Sequence, residues 1–164
     1  MKKRILSVLC SMLMLCSVAG SISVDVKAAE VENKVVDGSA LTTDDTSTGY
    51  SSSSQTRGIY LMTGDCTISK AGLTRVYAYA STTANQEVNY IATLIYVEKY
   101  IEEEDAWGYV EGWVAEANND YFLSTAKSVK VDRGYYYRVR ANHLAGDQYP
   151  YEETASVTNG IFLP

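Results

Sequence analysis

Beyond residue 58 apolar and polar side chains alternate along the chain, and Gly, Asn, Asp and Ser punctuate the alternation. A period of two sends successive side chains to opposite faces of a strand and gives a helix no apolar stripe. The stretches 59–63, 67–69, 73–81, 88–101, 107–117, 121–131, 135–144 and 152–159 are built largely from Val, Ile, Tyr, Thr and Ala. The β-branched and aromatic residues among these fit a pleated, half-buried surface. The first two stretches read as one broken edge strand. In 88–101 both faces, Tyr90-Ala92-Leu94-Tyr96 and Ile91-Thr93-Ile95-Val97, are apolar, as a central strand covered on both sides requires. Glu102-Glu103-Glu104-Asp105 make a charged turn, 107–117 returns as the hairpin partner, and Asn118-Asn119-Asp120 turn the chain again. Turns at this spacing predict an all-β, antiparallel sandwich of about seven strands.

The first residues follow another logic. Met1-Lys2-Lys3-Arg4 is a positive start, and Ile5 to Val18 is an uncharged run. That run is shorter than the roughly 20 apolar residues of a membrane-spanning helix. Val26 and Ala28 then offer the small residues of a cleavage site after Ala28, with Ala29 a near equivalent. Residues 1–28 are expected to be a signal peptide and the product to be secreted. Leu9 and Leu15 precede Cys10 and Cys16, where lipidation would need a small residue. Stable membrane insertion is not expected. Residues 29–57, rich in Ser, Thr and Asp and poor in large apolar groups, are expected to be a disordered polar spacer, because they offer little burial against the entropy of ordering. The β-sandwich domain is then expected over 58–164.

Removing 1–28 takes away Lys2, Lys3, Arg4 and Lys27 but only Asp25, so the formal charge moves from −6 to −9. Nucleic acid and anionic lipid are poor partners for such a chain, since phosphates need clustered Lys and Arg. Cys66 is the one cysteine left, so no internal disulfide can form and the fold rests on its core. A small buried hydrophobe is its expected role, with pairing between chains as the alternative. Tyr occurs fourteen times, which suits either strand packing or a contact surface.

The run from Val129 to Gly146, Val-Lys-Val-Asp-Arg-Gly-Tyr-Tyr-Tyr-Arg-Val-Arg-Ala-Asn-His-Leu-Ala-Gly, resembles the E-strand, turn and F-strand of fibronectin type III and related immunoglobulin-like domains. The resemblance implies an immunoglobulin-like sandwich. It makes Tyr135 the corner tyrosine, bonded back to upstream backbone, with Tyr137, Val139 and Ala141 following on the inward face and Arg138 and Arg140 outward. The chain as a whole is similar to an uncharacterised family of small secreted proteins of clostridia-type bacteria. Its cues are the leader, the spacer, the Gly-Tyr-Tyr-Tyr-Arg-Val-Arg run and Thr158-Asn159-Gly160-Ile161. That resemblance implies no activity.

Candidate chemistry is sparse. Glu102 to Asp105 could hold calcium, but four consecutive acids converge poorly, and a solvated hairpin tip is the plainer reading. Glu98, Glu111 and Glu116 lie on adjacent expected strands and could form the paired carboxylates of a hydrolase, though a small sandwich has little room for a cleft. His143 is the only histidine; a Cys66–His143 pair would be needed for thiol catalysis, and a surface or loop position is expected instead. No metal site and no cofactor are expected. Trp107, Tyr109 and Trp113 share one parity on one strand, opposite Tyr90, Tyr96 and Tyr100. If solvated, that face is an aromatic platform of the kind that stacks on sugar rings or anchors a protein interface. If it faces inward, Val110 and Val114 turn outward and the aromatics are core. The expectation is a non-enzymatic binding module for a glycan or a surface protein. A self-assembling extracellular component is the first alternative and a small secreted toxin the second; oligomeric state is open.

Overall fold

A computed structural model describes residues 40–51 and 58–164. The expected leader and parts of the expected spacer therefore lie outside the described residues. Ten strands follow in order: β1 (Leu41–Thr42), β2 (Thr46–Tyr50), β3 (Leu61–Lys70), β4 (Arg75–Val88), β5 (Tyr90–Ile101), β6 (Ala106–Ala117), β7 (Asp120–Lys130), β8 (Tyr135–Gly146), β9 (Glu152–Val157) and β10 (Gly160–Leu163). A turn of 3-10 helix, Glu102–Glu104, joins β5 to β6.

The strands form two sheets. The larger is ordered β1-β10-β8-β5-β6, with β9 also paired to β8, and the smaller is β2-β3-β4-β7. Pairing is antiparallel except for the short parallel contact of β1 with β10. β9 and β10 pair with successive parts of β8, at residues 140–145 and 135–137. Thr158 bridges the irregularity between them. Its N–H donates to the Val139 carbonyl at 2.9 Å and its hydroxyl accepts from the Val139 N–H at 3.0 Å.

Parity then builds an interior in three layers. A main apolar cluster gathers Cys66, Ile68, Val76, Ile95, Val97, Tyr137, Val139, Ile161 and Leu163. A smaller one holds Leu61, Ala84, Val88, Ile91 and Ala145. Thr82, Thr93 and His143 occupy the inward positions between these clusters on β4, β5 and β8, and all three are fully buried. The Thr82 hydroxyl donates to the Ala92 carbonyl at 3.1 Å and meets Thr93 Oγ1 at 2.6 Å and His143 Nδ1 at 2.9 Å. His143 Nε2 meets Ser156 Oγ at 2.7 Å. With Thr82 donating to Ala92, its oxygen accepts from Nδ1–H, and Nε2 accepts the Ser156 proton. Gly64 makes room for the ring, because a Cβ there would lie 2.2 Å from His143 Cδ2.

Several expectations are corrected. The all-β sandwich itself is as expected, with ten strands among the described residues where about seven were expected. Residues 41–50, assigned to a disordered spacer, carry β1 and β2. This polar segment is ordered by edges that exist only after the sandwich has formed: Ala40 O accepts from Gly160 N–H and Ser47 Oγ from Asn159 N–H. The expected edge strand is one continuous strand, β3, flanked by β2 and β4. His143 is not on the surface but enclosed between the sheets. It is Tyr137, not Tyr135, whose hydroxyl bonds back to upstream backbone, donating to the Asp132 carbonyl at 2.9 Å. Tyr135 remains 43% exposed, while Tyr137, Val139 and Ala141 are buried on the inward face.

Candidate functional site

The outer face of the larger sheet is set by register. Glu98 on β5 stands opposite Arg138 on β8, and Tyr96 opposite Arg140. On the other side Tyr100 faces Trp107 and Glu98 faces Tyr109 on β6. Inward Tyr137 and Val139 force Arg138 and Arg140 outward. Glu98 accepts from both arginines, from Arg138 Nε at 2.7 Å and Arg140 Nε at 3.2 Å. Each guanidinium also lies over a ring, Arg138 at 4.2 Å from the Trp107 centroid and Arg140 at 4.5 Å from that of Tyr96. The result is a row of ring, cation, carboxylate, cation and ring. Delocalised, weakly hydrated guanidinium suits such stacking better than ammonium would.

Trp107 also packs beside Tyr100, with centroids 5.3 Å apart. A Cβ on Gly160 of β10 would lie 2.6 Å from its Cη2. Three strand spacings, roughly 14 Å, separate β6 from β10 in a flat sheet, more than an indole can span. The sheet therefore curls, and the indole fills its concave outer face.

Trp107, Tyr109 and Trp113 do not share a face. The β5–β6 register slips between Val97/Glu98, so that Glu111 and Tyr109 oppose consecutive β5 residues and Val110 is left between them. Such a bulge reverses parity. Trp107 and Tyr109 point outward, and Tyr109 is 70% exposed. Trp113 points inward opposite Ile95, packs against the main core and donates its Nε1–H to Thr125 Oγ1 at 2.9 Å. Val110 packs on that core as well, whereas Val114 is exposed.

At the end of this face, Tyr100, Tyr136 and Phe162 wall a cleft of about 320 Å³ that Lys99, Glu102 and Glu103 also line. Tyr136 and Phe162 rings are 5.0 Å apart. Lys99 Nζ lies 4.4 Å from the Tyr135 ring centroid. The sequence marks neither Tyr136, Phe162 nor Arg138 as a site residue, and it offers Glu98 only as a hydrolase carboxylate beside Glu111 and Glu116. The alternation marked Arg138 as outward, but pairing it with Glu98 and Trp107 needs the register.

The other candidates come apart. Glu98 is held by its arginines, Glu111 pairs with Lys127 toward the smaller sheet, and Glu116 accepts from the Tyr90 hydroxyl at 2.7 Å. The three carboxylates share no cleft. Cys66 is fully buried, and burial pushes its thiol up to about 12, so little thiolate forms. Burial lowers His143 to about 4, so the ring is neutral. In the acidic turn, Asp105 takes the left-handed conformation (φ 47°) and accepts from the Tyr100 hydroxyl at 2.6 Å. Among the described residues no group of three or more His, Cys, Asp or Glu is placed to hold a metal ion.

A protein-family model described as a family of unknown function (DUF6147) matches residues 25–161. No curated protein and no solved structure matches the chain.

Proposed function

The chain belongs to that family of unknown function, so its role has to be argued from its own surface, and we propose that it is a secreted, non-enzymatic module that binds a neutral glycan at the outer face of the larger sheet. The observation that carries this is the cleft of about 320 Å³ walled by Tyr100, Tyr136 and Phe162. Aromatic walls offer stacking to the C–H face of a sugar ring, and Lys99, Glu102 and Glu103 offer donors and acceptors to its hydroxyls. Trp107, beside Tyr100 of the cleft, already carries the Arg138 guanidinium, so a cationic ligand has less to gain there than a neutral one.

Two features support the finer immunoglobulin-like reading of the sandwich. Hairpins β3–β4, β5–β6 and β8–β9 are linked by crossings between the sheets, one at β4–β5 and two in succession at β6–β7 and β7–β8. The Tyr137 hydroxyl ties strand β8 to the turn before it.

Fluorescence titration of the purified protein with neutral wall and host polysaccharides tests the proposal. Trp107 abuts the cleft through Tyr100, so a bound glycan should shift Trp emission, and Phe162→Ala or Tyr136→Ala should weaken binding at least tenfold while circular dichroism stays unchanged. If no polysaccharide moves the emission and light scattering shows concentration-dependent oligomers, the self-assembling component replaces the glycan module.

A further inference from the structure

The opposite end of the sandwich carries a second aromatic group with the reverse electrostatics. There the β4–β5, β6–β7 and β8–β9 turns and the start of β3 come together. Tyr90 and Tyr151 stack with centroids 4.4 Å apart, and Tyr149 meets Tyr151 edge-on at 6.0 Å. Tyr149 is 85% exposed. Tyr90 opens β5 and Tyr100 lies ten residues along it, so this cluster is roughly 33 Å from the cleft.

The cluster is held firmly. Asp147 accepts from Asn89 N–H at 2.9 Å, and its own carbonyl accepts from Asn89 Nδ2 at 3.2 Å. Glu152 accepts from three successive backbone N–H groups, those of Ile59, Tyr60 and Leu61, at 2.6, 3.0 and 2.7 Å. The Tyr90 hydroxyl is fixed on Glu116. A surface ordered before binding loses little entropy on contact.

Its charge is one-sided. Residues 58–62, 84–90, 116–123 and 146–154 contain Glu87, Glu116, Asp120, Asp147, Glu152 and Glu153 and no Lys, Arg or His. Four rings elsewhere carry the chain's own cations: Tyr135 under Lys99, Trp113 under Lys127, Trp107 under Arg138 and Tyr96 under Arg140. Among the described residues no such contact occurs on Tyr90, Tyr149 or Tyr151. From this we infer that the turn end is a docking surface for a basic segment of a partner polypeptide, whose Lys or Arg side chains stack on Tyr149 and Tyr151 within the field of these carboxylates. Open ring faces attract ammonium and guanidinium groups, and the acids favour their approach. The Tyr and Asn side chains here are among the residue types enriched in protein-recognition loops.

The test is calorimetric titration of the purified protein with a synthetic peptide of alternating Lys and Arg, alongside a Glu peptide of equal length and a chitosan oligosaccharide. The basic peptide should bind, weaken as salt rises, and lose at least tenfold in affinity on Tyr149→Ala. Tyr149→Phe should keep the affinity, because the ring face and not the hydroxyl makes the contact. Tyr109→Ala, on the sheet face, should leave it unchanged. Equal binding by wild type and Tyr149→Ala would overturn the assignment, since the peptide would then be reading net negative charge alone. Chitosan binding tighter than the peptide, with the same dependence on Tyr149, would also overturn it in favour of a cationic glycan.

Discussion

The outer sheet face and the turn end are both aromatic, yet their rings and charges are complemented in opposite ways. On the face, Trp107 and Tyr96 are covered by Arg138 and Arg140, and Glu98 bridges the two cations from between them. At the turn end, Tyr90 and Tyr151 are covered by each other, and the carboxylates around them meet backbone N–H groups and phenols. Complementing a ring internally stabilises the fold and uses up the ring's own affinity for cations. Leaving it unfilled does little for stability and keeps that affinity for a partner. The contrast separates a load on folding from a load on binding, and substitutions at the two places should divide the same way.

The largest effect is expected at Glu98. Its side chain is 11% exposed, and its removal leaves two arginines without their carboxylate. Breaking a buried pair from one side costs 3 to 5 kcal/mol in general; the partial exposure of Arg140 places Glu98→Ala near the lower end, about 3 kcal/mol by urea unfolding. A loss below about 1 kcal/mol would mean that the row is a surface ornament and that the contrast with the turn end is false.

Next comes acid. Burial holds His143 at about 4 against an ordinary 6.5, so the unfolded chain takes up a proton first. Stability is then full above pH 6.5, falls as pH drops toward 4, and loses no more on this account below it. The full loss is about 3 kcal/mol. His143→Gln should flatten that window. Glu152 acts lower. Burial works against its charge, but the three backbone N–H groups outweigh it and bring its pKa down, so its contribution is present above the ordinary carboxylate range and lost as pH falls below it. Urea midpoints measured across pH would separate the polar layer from the turn-end clamp.

A smaller effect is expected where β10 meets the indole. Gly160→Ala sets a Cβ 2.6 Å from Trp107 and should cost about 2 kcal/mol by overpacking. It should also shift Trp emission as the ring leaves Arg138. An unchanged spectrum would mean that the indole is not wedged into the curl of the sheet.

How much of this was legible depends on what each residue type records. Alternation located β5 through β8 and the inward run Tyr137, Val139, Ala141, because period two is local. It failed at Val110, where one extra residue reversed the parity that had joined Trp113 to Trp107. It stopped β4 at residue 81, because Thr82, Thr83 and Asn85 look like a turn until β3 and β7 are beside them. His143 read as a surface residue because nothing nearby in sequence announces Thr82, Ser156 or the space left by Gly64. The turn-end cluster was invisible for the same reason: Tyr90 and Tyr151 are far apart in the chain and meet only through sandwich topology. Tyr135 and Tyr137 differ in sequence by two positions on one face, and only the turn geometry before them decides which hydroxyl reaches Asp132. Tyr137→Phe should therefore cost about 1 kcal/mol, with Tyr135→Phe neutral, in the same unfolding assay.

The smallest expected change bears hardest on the comparison. Tyr149 is 85% exposed, and Glu87 is exposed in a stretch without cations. Tyr149→Ala should alter stability by less than about 0.5 kcal/mol, the usual range for surface positions. Glu87→Gln should do no worse and can gain slightly by easing repulsion among like charges. Both should still weaken binding of the basic peptide, with Tyr149→Ala the stronger. If instead Tyr149→Ala destabilised the fold as much as Gly160→Ala does, its ring would be part of the scaffold. The turn end would then be complemented internally like the sheet face, and it would keep no ring in reserve for a cationic partner.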